Sequence, residues 1–145
     1  MLVTGHTGFK GSWLSLWLVN LGAEVYGISK DIPTEPSHFK TIRLDKKINH
    51  LKIDMADFSK VLSAVKKIKP DFIFHLAAQA LVKTSYKNPL ETIESNVMGT
   101  AHLLESLRIL NLKTIAVFIT SDKAYDNLEL KRGYHEEDRL GGKDP

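Results

Sequence analysis

One stretch, Val3-Thr4-Gly5-His6-Thr7-Gly8-Phe9-Lys10-Gly11-Ser12-Trp13, limits what this chain can fold into more than any other. Gly5, Gly8 and Gly11 follow a short apolar run and precede an amphipathic segment. That order predicts a strand, a glycine turn and a helix start. The first glycine of such a turn takes backbone angles that a side chain forbids. The second lets a pyrophosphate approach the main chain, and the third lets the helix lie close on the sheet. The N–H groups and the positive end of the helix dipole then face the phosphates. Gly5, Thr7, Gly8, Phe9, Lys10 and Gly11 are the candidate contacts. The spacing is G-x-x-G-x-x-G, not G-x-G-x-x-G. Alone, it fits a plain turn as well as a phosphate cradle. The context favours the cradle, because a β-rich segment ending in an acid follows about twenty residues on.

Residues 12–21 read as a helix, with Leu14, Trp17, Leu18 and Leu21 as one buried stripe and Gly22 as its stop. The two tryptophans read as packing residues. Residues 24–28 form a second strand ending in Ser29-Lys30-Asp31. An acid there holds the ribose hydroxyls of an adenosine, and Asp31 is the candidate. Lys30 beside it leaves open a ribose phosphate in place of a hydroxyl.

Residues 32–47 read as a loop with one helical turn. Residues 48–53 form a third strand, followed by Asp54-Met55-Ala56-Asp57. Asp57 reads as the N-cap of a helix over 57–69, and Pro70 ends it. Phe72-Ile73-Phe74-His75 begins a strand buried on both faces. Leu76, Ala77 and Ala78 would bring backbone against the nicotinamide side of a cofactor, and His75 reads as a hydrogen-bonded core residue. Residues 81–87 form a loop or short helix. Asn88-Pro89-Leu90-Glu91 starts a helix that runs to about residue 110. Its buried side is Ile93, Val97, Leu104 and Leu107, and Gly99 marks a close approach. Residues 114–119 form a fifth strand ending in Thr120-Ser121-Asp122-Lys123. Chemistry in a doubly wound sheet sits beyond the carboxyl ends of the strands, so these polar groups share an edge with the glycine turn. The polar stretch 127–145 reads as a loop. The predicted fold is α/β, a doubly wound parallel sheet (Rossmann fold) in the order 3-2-1-4-5.

The words T-G-H-T-G-F-K-G-S-W-L (4–14), H-L-A-A-Q (75–79), S-N-V-M-G-T (95–100) and S-D-K-x-Y-D (121–126) resemble the extended short-chain dehydrogenase/reductase superfamily. They are most similar to its CDP-glucose 4,6-dehydratase branch. The resemblance implies NAD as cofactor and a nucleotide sugar, CDP-glucose, as substrate. It implies oxidation at C4, loss of water across C5 and C6, and reduction at C6. It gives Asp54 and the adjoining Met55 a place near the adenine, against a plain turn acid as the alternative for Asp54. It puts Asn96 near the active-site end of its helix. Ser121, Asp122 and Lys123 become the catalytic candidates, with Ser121 polarising the C4 oxygen, Asp122 as acid and Lys123 as base. It also implies a homodimer for the full-length enzyme.

The superfamily's Tyr-x-x-x-Lys pair occurs once, as Tyr26 and Lys30, in the wrong strand. The chain therefore resembles the N-terminal part of such an enzyme. The expectation is a tyrosine–lysine pair and a sugar-nucleotide domain after Pro145, no turnover by the 145 residues alone, and residues before Met1 to lengthen a short first strand. Another sugar-nucleotide epimerase or dehydratase, or a non-catalytic dinucleotide-binding domain, fits the same residues.

Composition narrows the field further. The 145 residues are 43% hydrophobic, enough for the core of one domain. There is no cysteine, which removes disulfide and thiolate–metal chemistry and allows a reducing cytoplasm, the expected location. No metal site is expected. The net charge is +3, but the lysines are scattered and arginine is scarce, so no nucleic-acid partner is expected. No apolar run approaches the ~20 residues of a membrane span, so no membrane partner is expected.

Overall fold

The computed structural model describes residues 1–142, including the backbone but not the side chain of Asp122. Five strands form one parallel sheet: β1 (Leu2–Thr4), β2 (Tyr26–Ser29), β3 (Asn49–Lys52), β4 (Phe72–His75) and β5 (Ile115–Phe118). Their order is β3-β2-β1-β4-β5, as the sequence predicts. The helices are α1 (Phe9–Asn20), α2 (His38–Thr41), α3 (Phe58–Ile68), α4 (Val82–Lys87), α5 (Pro89–Ile93) and α6 (Gly99–Leu110). A π-helical turn, Glu94–Met98, joins α5 to α6.

Alternation along the strands sends neighbouring side chains to opposite faces. Leu2, Ile28 and Ile73 join Val61 and Val65 of α3 and Leu103 of α6 in the larger cluster. Val3 turns the other way and meets Leu18 of α1 and Val25. Gly99 begins α6 close to Met55, where a β-carbon would stand 2.9 Å from the methionine Cβ. This is the close approach its position in the helix predicts. Asp57 caps α3, its carboxylate accepting from the Lys60 N–H at 3.1 Å. Gly22 takes φ +84° just past α1.

Two predicted faces are right only in part: Leu14 and Leu18 of the first and Leu107 of the second pack inward, and the other residues expected there do not. In α1 the buried residues are Gly11, Ser12, Ser15 and Leu18, while Trp17 is 65% exposed and Leu21 is exposed as well. The helix lies so close to the sheet that small residues face inward, and the large ones are left outside. Trp13 packs by stacking on His38, with ring centroids 4.1 Å apart. In α5–α6 the inward residues are Gly99, Leu103 and Ser106. Ile93, Val97 and Leu104 are exposed. This helix carries two apolar stripes, and period alone does not say which one meets the sheet.

The region 32–47 holds the helical turn expected of it, α2, and a 3-10 turn, Leu44–Lys46, besides. Phe39 of α2 and Leu44 of the following 3-10 turn are buried. Residues 125–142 contain no helix or strand, only an isolated bridge between Tyr125 and Leu140. The last three residues of the stretch read as a loop lie outside the described residues.

Candidate functional site

Thr4, His75 and Phe118 stand in register as the last residues of β1, β4 and β5. The glycine turn, the Leu76–Ala78 segment and the Ser121–Lys123 segment therefore leave the sheet at one edge. The first and last of these are two strand spacings apart, about 10 Å.

The glycine turn is built without spare room on its protein side. Gly5 has φ +73°, and a β-carbon there would stand 2.7 Å from the Ala77 nitrogen. A β-carbon on Gly11 would stand 2.2 Å from the Gly5 carbonyl oxygen. Gly8 is different: among the described residues a β-carbon there would meet only the Gly5 oxygen, at 3.3 Å. Gly8 is also the N-cap of α1, with no side chain bonded across the helix start and no acid in the first turn. Phe9 and Lys10 beside it are exposed. The first-turn N–H groups and the dipole thus face outward over a glycine, which is a cradle that fits a pyrophosphate.

Asp31 lies beside this turn, just past the end of β2. The Thr7 hydroxyl donates to the Asp31 carbonyl at 2.6 Å, fixing the turn to the end of β2. Thr7 is itself buried, so it holds the turn from behind. The Asp54 carboxylate accepts from the Ala56 N–H at 3.0 Å and so also closes its own turn. Met55 is buried beside Gly99, with its carbonyl accepting from His102 Nδ1 at 2.8 Å. A cavity of about 230 Å³ at the ends of β2 and β3 is lined by Ser29, Lys30, Asp31, Ile32, His50 and Lys52.

On the other side, Ala77 donates to Thr4 Oγ1 at 3.2 Å, and Ala78 is exposed at the rim. Leu76 is half-buried and donates its N–H to the Thr4 carbonyl at 3.2 Å. Asn96, in the π-helical turn, uses its whole amide on one residue. Its Oδ1 accepts from the Gln79 N–H at 2.7 Å and its Nδ2 donates to the Gln79 carbonyl at 3.1 Å. It clamps the segment that follows Ala78.

After β5, Asp122 opens a 3-10 turn, Asp122–Ala124. Ser121 Oγ accepts from the Lys123 N–H at 3.2 Å. The Asp122 side chain lies outside the described ones. Tyr26, the one tyrosine with a lysine four places on, stands at the opposite end of β2, bonded to Glu24 at 2.8 Å. It is remote from the rim, as its place in the sequence implies.

Two buried histidines were legible only in part. His75 is a hydrogen-bonded core residue, as predicted. Thr100 donates to the Asn96 carbonyl at 2.7 Å, so it accepts from His75 Nε2–H, 3.1 Å away. His75 Nδ1 then accepts from Thr4 Oγ1 at 2.7 Å. The ring is neutral, and burial lowers its pKa to about 4. His6, inside the glycine motif, carries no prediction from sequence. It is fully buried, 2.7 Å from His50 Nδ1 and 3.2 Å from Ser29 Oγ, and burial above all lowers it to about 4 as well. The signal for it was Gly27, where a β-carbon would strike the His6 ring at 2.4 Å. The clamp from Asn96 to Gln79 left no trace in spacing.

A family model described as GDP-mannose 4,6 dehydratase matches residues 2–145. The CDP-glucose 4,6-dehydratase of Salmonella typhimurium is 51% identical over 146 residues, covering the whole of this chain and 40% of that protein. A GDP-mannose 4,6-dehydratase of Vibrio cholerae is 34% identical over 127 residues, covering 81% of this chain and 33% of that protein. The structure of Thermus thermophilus UDP-glucose 4-epimerase in complex with NAD superposes with a TM-score of 0.84 at 26% identity, over 99% of this chain and 44% of that one. The chain thus spans less than half the length of these relatives.

Proposed function

The chain belongs to the GDP-mannose 4,6-dehydratase family, a group of nucleotide-sugar dehydratases with epimerase relatives of the same fold, and on that premise we propose that it is the NAD-binding domain of a CDP-glucose 4,6-dehydratase. The substrate domain then lies outside these residues. The carrying observation is the shared register of Thr4, His75 and Phe118, which supports one rim for cofactor and sugar.

The residues present suit the group. The α1 N-terminus would hold the pyrophosphate over Gly8, Phe9, Lys10 and Gly11, with Gly5 shaping the turn and Thr7 tying it to Asp31 from behind. Asp31 accepts from the adenosine ribose, and the Asp54–Met55 turn borders the adenine. Leu76, Ala77 and Ala78 border the nicotinamide, with Asn96 fixing their continuation through Gln79. NAD, when bound, supplies a hydride acceptor at sugar C4 and a donor at C6, with no net redox change.

The chain's own groups handle oxygen and protons. Ser121 donates to the C4 oxygen, and the tyrosine of a Tyr-x-x-x-Lys pair would take the C4 hydroxyl proton as the hydride leaves. Asp122, as the acid, protonates the departing C6 hydroxyl, which requires a raised pKa. Lys123, when neutral, takes the C5 proton. The exposed stripe of Ile93, Val97 and Leu104, continued by Leu90, supports a homodimer of the whole enzyme.

The test is product analysis. A protein that joins this chain to a Tyr-x-x-x-Lys pair converts CDP-glucose to CDP-4-keto-6-deoxyglucose, and the 145 residues alone do not. A C4 epimer as product, or turnover by the 145 residues alone, overturns the reading.

A further inference from the structure

Lys30 is the residue that leaves NAD and NADP open in the sequence, and the structure gives it a specific partner. Its ammonium donates to Glu91 Oε1 at 3.0 Å, joining the end of β2 to the first turn of α5, 61 residues away. The Asp54 and Asp31 carboxylates also act on it favourably. Lys30 is thus paired with Glu91, and the Asp31 and Asp54 carboxylates add to the negative field around it.

The cavity beside it is where an adenosine ribose sits, if the rim binds a dinucleotide as proposed above. Its charged wall consists of Lys30, Lys52 and Asp31, with His50 alongside. A ribose with both hydroxyls needs only an acceptor, and Asp31 supplies it. A 2′-phosphate adds about two negative charges. It meets Asp31 as a like charge, and it needs a cation to offset that repulsion. Lys30, next to Asp31, is the cation in position to do so. Its pairing with Glu91 competes with a phosphate for that cation. We infer that Glu91 is a specificity-determining residue, which holds Lys30 off the ribose and so favours NAD over NADP.

Glu91 acts through Lys30 and belongs to the positioning residues. Both partners keep about half their surface, 41% and 48% of the side chain. The expected effect is therefore the modest one of a solvated ion pair, about three- to fivefold in affinity.

The experiment is calorimetric titration of the 145-residue chain with NAD and, separately, with NADP. The unsubstituted chain prefers NAD. In Glu91→Gln the ratio of NADP to NAD affinity rises about three- to fivefold, and the rise shrinks with added salt. In Glu91→Gln with Lys30→Met the rise is gone. If the ratio does not move in Glu91→Gln while NAD still binds, the inference fails and the dinucleotide reading stands. If Lys30→Met alone weakens NADP, Lys30 already serves the phosphate and the inference is also wrong. If the unsubstituted chain binds neither dinucleotide, the reading of the rim fails first and takes this one with it.

Discussion

A β-carbon on Gly11 would stand 2.2 Å from the carbonyl oxygen of Gly5, inside any allowed contact. The obstacle is backbone within the same turn, so no side chain can swing away to relieve it. Gly11→Ala must move α1 off the sheet, at upward of about 3 kcal/mol, the top of the usual range for overpacking. Gly22→Ala is the control. Among the described residues nothing lies within 4 Å of its added carbon, and its φ of +84° is what resists, at about 1–2 kcal/mol. Urea unfolding ranks the two. Equal losses would mean that the turn is looser than described.

Stability should fall with acid in a defined window. Burial lowers both His6 and His75 from an ordinary 6.5 to about 4. Between those values the unfolded chain binds more protons than the folded one. Stability therefore rises with pH, is complete above about 6.5 and is lost as the pH drops toward 4. The slope is at most about 1.4 kcal/mol per pH unit for each histidine. Unfolding curves at several pH values measure it. His75→Asn should show about half the slope, whatever its own stability. An unchanged slope would locate the titration elsewhere.

β5 presents Ile115 and Val117 to solvent on one face, the first of them 60% exposed, and it is the edge of the sheet. An apolar edge strand invites pairing with another chain. The 145-residue chain should associate as its concentration rises, as read by sedimentation. Val117→Lys should shift that association to higher concentration. A chain that stays monomeric at every concentration contradicts this.

For a longer protein that carries this chain and turns over CDP-glucose, Lys123→Met should retain NAD and lose exchange of the C5 proton with solvent. Deuterium incorporation at C5, read by NMR of the recovered sugar, checks it. Normal incorporation would remove Lys123 from the role of base.

The strand order was legible because each crossover carried its own punctuation: the glycine turn, Gly22, the Asp57 cap, Pro70 and the Asn88–Pro89 start. The site was legible where backbone makes it, at Gly5, Gly8 and Gly11. The burial of α1 was not. Its contact is made by Gly11, Ser12 and Ser15, and hydrophobic period points to Trp17 and Leu21. Contacts between side chains remote in sequence were equally hidden, such as Lys30 with Glu91, His6 with His50, and Asn96 with Gln79. Nothing local in those residues requires the partner. Only the folded sheet edge brings them together.

The central claim is that one edge of this sheet holds a dinucleotide. Titrating NAD into the isotope-labelled chain and following its backbone amide resonances tests it most directly. Shifts should gather at residues 5–12, Asp31, Asp54–Met55, Ala77–Ala78 and 120–123. Shifts gathered instead at the opposite edge, around Ala23, Tyr26 and 69–71, or none at saturating NAD, would contradict it.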